Sequence, residues 1–230
     1  MNESRMRRRM LARLAAGAAL AAGGIGGFLA RALAKGDLAH AQGVQRIDGS
    51  VTVGGRPAAV GTPVAFGDRV ATGPNSTAVV VVGQDAFLLR ADTVIVTRAE
   101  RGTLSQLLVE TGRVLSVFSK KPLQIKASMA SIGIRGTGAY IEIGANDVYF
   151  CLCYGEAEVD GPRMPPRLVK TTHHEQPLLL TQDDGVMQAA PGPFRNHTDA
   201  ELVMLEALVG REPPFMKGGK YPSGPYGSSG

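Results

Sequence analysis

The chain has no tryptophan, two cysteines and four histidines among its 230 residues, and aromatic side chains make up only 5% of it. It lacks a Gly-x-Ser-x-Gly elbow, a phosphate-binding loop and a His-Glu-x-x-His pair, which excludes the commonest hydrolase, nucleotide-binding and zinc-protease signatures. A Cys-His hydrolase needs a thiol activated at a helix N-terminus or beside a cation, and Cys151 and Cys153 lie in a predicted strand with neither device. The acidic pairs Asp183-Asp184 and Asp199 with Glu201 read as a turn and a helix N-terminus rather than a working dyad. The expectation is a protein that is not an enzyme.

An excess of charge is missing from most of the chain as well. The formal charge is +5, but six of the 25 basic side chains and only one of the 20 acids fall in residues 1–34, leaving 19 of each in the remainder. A neutral body has no basic surface with which to displace counterions from phosphate, and no basic run is interleaved with aromatics. Nucleic acid is therefore not an expected partner.

Strongly apolar runs are scarce too. The uncharged stretch from Leu14 to Ala30 is mostly Ala and Gly, a weak driver of insertion and at the short edge of what spans a bilayer. It follows Arg7-Arg8-Arg9-Met10-Leu11 and precedes two Ala-x-Ala sites, Ala32-Leu33-Ala34 and Ala39-His40-Ala41. An arginine pair before a weak apolar region resembles a twin-arginine signal peptide, so residues 1–41 are expected to be an export signal, with an uncleaved inner-membrane anchor as the alternative. Either way the arginines stay in the cytoplasm, and the rest of the chain is expected in the periplasm.

What the sequence has in quantity is glycine, 30 residues, together with short β-branched runs. Thr77 to Val82, Ala86 to Leu89, Thr93 to Val96 and Arg113 to Phe118 are each of strand length, and Gly54-Gly55, Gly73-Pro74-Asn75, Gly83-Gln84-Asp85 and Arg101-Gly102 punctuate them with turn residues. The pattern predicts a mainly β fold, a two-layer antiparallel sandwich or roll of short strands, with one C-terminal helix.

The order Gly49-x-Val51-x-Val53, Gly67-Asp68-x-Val70-x-Thr72-Gly73, Gly112-x-Val114 and Ile134-Arg135-Gly136-Thr137, followed by alternating Ala139, Ile141 and Ile143, resembles the FecR domain family over residues 43–160. The resemblance implies an all-β extracytoplasmic module of the kind found in regulators that relay a signal from an outer-membrane receptor to a cytoplasmic sigma factor. Such regulators carry a sigma-binding domain before their membrane helix, whereas only Met1 to Met10 precede the apolar stretch here. The implied role is therefore narrower: a periplasmic binding or interaction module, with another envelope protein as its partner. Gly136 is expected at a backbone position that a side chain would crowd, with Arg135 a strand-turn residue.

Residues 161–212 read as a C-terminal extension. Pro162, Pro165 and Pro166 are expected to interrupt strands, and a hairpin is expected between Leu168 to Thr171 and Leu178 to Val186. A helix follows: Thr198 and Glu201 form a capping box, Leu202, Leu205, Ala207, Leu208 and Val209 give an apolar stripe, and Gly210 stands at the stop. Residues 213–230, rich in Pro, Gly, Ser and Tyr, read as a disordered tail.

Cys151-Leu152-Cys153 closes an alternating run, so both thiols point to the same face of one strand. A disulfide across one intervening residue is strained. His173, His174 and His197 follow. These thiols and imidazoles together suit copper(I) or zinc, and a metal- or haem-binding protein using Cys151, Cys153, His173, His174 and His197 is the second functional reading. Adjacent histidines on an extended chain face opposite ways, so only one of His173 and His174 is expected to join the cysteines. Packing of the cysteines into the core beside Tyr149, Phe150 and Tyr154 is the alternative.

Overall fold

A computed structural model describes residues 42–216; the expected export signal and the tail beyond Met216 lie outside them. The described residues form fourteen strands followed by one helix. The first seven strands are β1 (Gly43–Asp48), β2 (Val51–Val53), β3 (Arg56–Pro57), β4 (Arg69–Thr72), β5 (Thr77–Val82), β6 (Asp85–Leu89) and β7 (Val94–Glu100). They are followed by β8 (Thr103–Val117), β9 (Pro122–Ala127), β10 (Ala130–Ile143), β11 (Asp147–Gly161), β12 (Met164–Thr171), β13 (Leu178–Asp183), β14 (Val186–Pro191) and helix α1 (Asp199–Leu208). All fourteen strands belong to one hydrogen-bonded sheet, open and branched, in which the neighbours are antiparallel except for the parallel pair β8 and β9. The mainly β class and the single C-terminal helix are as the sequence pattern predicts.

Not all the strands are short. β8 and β11 run for 15 residues and β10 for 14, because glycines that read as strand boundaries sit at bends within strands. Up to Arg135, β10 pairs with β9; from Gly138 onward it pairs with β8. Gly136 lies at that change of partner, inside β10, with φ +61°, and a Cβ added there would stand 3.0 and 3.2 Å from Lys120 Cγ and Cα. Left-handed backbone against a neighbouring segment is the condition that favours glycine.

The alternation of side chains along the strands creates two apolar cores on opposite faces of the sheet. Phe150 and Leu152 of β11, Val80 of β5 and Val114 of β8 belong to the larger one. Tyr149, Cys151 and Cys153 of β11, Val79 and Val81 of β5 and Leu115 of β8 belong to the second. Helix α1 covers that second face. Leu202, Leu205 and Leu208, spaced as one helical stripe, are buried in it, and Thr198 and Glu201 form the expected capping box. Arg90 ties the helix to the end of β6 by a 2.7 Å ion pair with Glu201.

The C-terminal strands pair otherwise than the sequence suggests. β12 does not form a hairpin with β13; it runs antiparallel to the second half of β11, with Gly155 opposite Thr171. β13 pairs instead with β14 and with the first part of β11. The β11 edge is thus shared by two strands, and the 161 boundary falls within the β11–β12 hairpin, so the extension continues the same sheet. Pro165 and Pro166 are accommodated inside β12 because they fall between the paired residues Met164 and Arg167, where the β11–β12 register shifts and the ladder is interrupted. Of the residues read as a tail, Pro213 and Met216 are buried, and Phe215 packs against the second core.

Candidate metal centre

Where β12 hands over to β13, the chain crosses the uncovered part of the β11 edge, beside Cys151 to Tyr154. Two bonds fix the crossing: Thr171 Oγ1 donates to the Leu152 carbonyl at 2.9 Å, and the His174 amide donates to the Cys153 carbonyl at 3.0 Å. His174 adopts φ +61°, and its ring turns to the cysteine face. The loop from β14 to α1 brings in His197, next to Asn196 at φ +62°.

Four of the five candidate ligands meet there. Cys151 Sγ is 3.5 Å from His174 Nδ1, Cys153 Sγ is 3.5 Å from His197 Nε2, and the two ring nitrogens are 3.2 Å apart. All the pairwise separations of the four atoms lie within 4.8 Å. Exposure is zero at both cysteines and His174 and 3% at His197. A tetrahedral ion with bonds of about 2.3 Å to sulfur and about 2.0–2.1 Å to nitrogen has S–N edges of about 3.5 Å and an N–N edge of about 3.3 Å. The two S–N edges of 3.5 Å and the N–N edge of 3.2 Å match those values, and the two sulfurs are free thiols.

The outward nitrogens fix which atoms face inward. His197 Nδ1 is 2.8 Å from the Arg195 carbonyl, and His174 Nε2 is 3.0 Å from Asp199 Oδ1. Carbonyl and carboxylate oxygens only accept, so each of these nitrogens carries its proton and leaves the inward nitrogen with a lone pair. Two imidazole lone pairs facing each other at 3.2 Å cannot bond to each other. They need a proton from a thiol or a cation between them.

The thiols are unequal. The hydrogen bond with Cys153 holds the Cys151 thiol well below its ordinary range, and bonds with His174 and His197 add to that effect. Burial first, and then the bond with Cys151, push the Cys153 thiol well above it. Burial opposes the charged form of His174, but the bonds with Asp199 and Cys151 outweigh it and raise its pKa.

His173 does not reach the sulfurs. Its Nε2 bonds Asp199 Oδ2 at 2.9 Å, and its ring lies 4.5 Å from that of Phe215. Strand alternation does not set the two histidines apart: the chain bends there, with His174 at φ +61°, and both rings, 4.9 Å from each other, turn to Asp199. The wall of the centre is aromatic: Tyr140 stacks on His197 at 4.7 Å and 18°, and Phe194 lies 4.7 Å from His174 and 4.6 Å from His197. Asp199 has no place in the sequence-based ligand set, since its position at the start of α1 reads as a response to the helix dipole. Its approach to the histidines depends on how α1 packs.

The motif residues from the sequence pattern do structural work away from this centre. Asp68 Oδ2 accepts the Ala65 amide at 2.8 Å, Thr72 Oγ1 donates to the Arg90 carbonyl at 2.5 Å, and Val70 is core. Arg135 Nε donates to the Lys120 carbonyl at 3.3 Å.

No family model matches the chain, and no curated protein matches it. Two crystal structures of a candidate anti-sigma factor from Parabacteroides distasonis ATCC 8503, at 1.65 and 2.50 Å resolution, are similar to part of it. Each is 15% identical, with a TM-score of 0.45, over 54% of this chain and 59% of that one.

Proposed function

We propose that this is an exported, non-enzymatic interaction module of FecR type whose C-terminal segment is fastened to the sheet by one structural zinc ion held by Cys151, Cys153, His174 and His197. The observation that carries the metal reading is the set of four buried electron-pair donors, all within 4.8 Å of one another. Charge selects zinc over copper: two thiolates balance a divalent ion, whereas copper(I) would leave a net negative charge in a site excluded from water. Donor atoms this close together leave room for one ion and none for a haem macrocycle. With all four positions of the shell supplied by the protein, no position is open to water or substrate, which is the character of a structural rather than a catalytic site.

Protein purified under reducing conditions without added metal is expected to hold close to one zinc equivalent per chain. Metal-free protein that takes up no zinc on reconstitution would contradict the assignment.

The export and partner readings rest on the N-terminal sequence and on the FecR-like motifs. Replacing Arg7 and Arg8 together with Lys is expected to leave unprocessed precursor in the cytoplasm. Normal processing of that double variant would favour general secretion or a retained anchor. The interaction role predicts that crosslinking in intact cells captures an envelope protein, and an absence of such adducts across surface positions of the β domain would count against it.

A further inference from the structure

Asp199 is buried, with 2% of its side chain exposed, yet none of its bonds goes to a lysine or arginine that would explain the burial. Its oxygens instead face two histidines: Oδ1 lies 3.0 Å from His174 Nε2, and both oxygens lie within 3.0 Å of His173 Nε2. Asp199 is also the first residue of α1, two positions beyond the ligand His197.

We infer that Asp199 is the positioning residue of the zinc centre and the link through which the ion holds helix α1. The inference rests on the zinc reading above. By accepting the Nε2 proton of His174, Asp199 holds that ring in the tautomer whose Nδ1 lone pair faces Cys151 and Cys153. It also sets the ring's orientation, as a carboxylate behind a metal-bound histidine does in many metal sites. Because the same residue opens α1, and His197 precedes it by two positions, the ion grips the start of the helix twice, once directly through His197 and once through His174 and Asp199. His173 completes the bracket from its other side, bonding the carboxylate without touching the sulfurs.

Asn at this position can turn its amide N–H toward the ring and stabilise the wrong tautomer. Asp199→Asn is therefore expected to weaken zinc and cobalt(II) binding by about 10–100-fold, and to alter the thiolate charge-transfer and d–d bands of the cobalt form. Thr198→Ala removes the cap of the same helix end, and the side chain it removes bonds the Glu201 amide rather than a ligand, so it should leave affinity within about threefold and the cobalt spectrum unchanged. Equal losses in the two variants would mean that Asp199 acts only on the helix, and unchanged affinity and spectrum in Asp199→Asn would overturn the assignment outright.

Should Asp199→Asn not fold, NMR of the ring nitrogens in the zinc-loaded wild-type protein decides the matter. The inference requires His174 bound through Nδ1 with a protonated, hydrogen-bonded Nε2, and binding through Nε2 would overturn it. A wild-type protein that binds no metal would instead overturn the zinc reading itself, which keeps the two failures apart.

Discussion

Replacing Cys151 and Cys153 together with Ser is expected to abolish zinc binding and lower the melting temperature by roughly 10–20 °C, while far-ultraviolet circular dichroism keeps its β character. The magnitude follows from treating the ion as a cross-link. It joins β11 to His174, 23 residues on, and His174 to His197, a further 23 residues on. By loop-closure entropy each closure of that length is worth about 3 kcal/mol, and a domain of this size loses about 2–4 °C per kcal/mol. The fold persists because the larger apolar core lies on the opposite face of the sheet and shares no ligand with the centre. Chelation of wild-type zinc should reproduce the shift. A double variant that melts with the parent would show that the cysteines are ordinary core residues.

Gly112→Val is expected to destabilise the protein by roughly 3–5 kcal/mol, measured by denaturant titration. β8 leaves β7 at Thr111 and meets β6 from Val114, and Gly112 makes that change of partner at φ +84°. A Cβ there would lie 2.4 Å from Thr93 Cα and 2.7 Å from the Asp92 carbonyl oxygen. Backbone atoms cannot swing aside as the end of a long side chain can, so the strand itself has to move, and a β-branched residue is also poorly suited to the left-handed region. Unchanged stability would mean that the bend in β8 does not depend on glycine.

Both predictions show what could be read from the sequence and where such reading stops. Period-two alternation places Cys151 and Cys153 on one face, and that rule is local; the placing of His173 and His174 is not, because the chain bends at His174 and both rings turn to Asp199. The strand class and the capped helix at Thr198 are equally local. Glycine was harder to read, because Gly112 and Gly136 carry the same signal at a mid-strand bend as at a turn, and only the pairing partners tell the two apart. The β11–β12 pairing is hidden for a similar reason: a proline-bearing segment looks broken, and only the register shows that both prolines fall in an interruption of the ladder between Met164 and Arg167. Asp199 could not be recognised as a partner of the histidines, since that depends on α1 lying across the face that carries the cysteines. The one local hint was its position two residues after His197.

The most direct measurement is X-ray absorption at the zinc edge of the purified protein. A centre formed by Cys151, Cys153, His174 and His197 predicts two sulfur neighbours at about 2.3 Å and two nitrogen neighbours at about 2.0–2.1 Å, in a four-coordinate shell. A shell of oxygen and nitrogen alone, or six-coordinate zinc, would place the ion elsewhere on the protein and contradict the account.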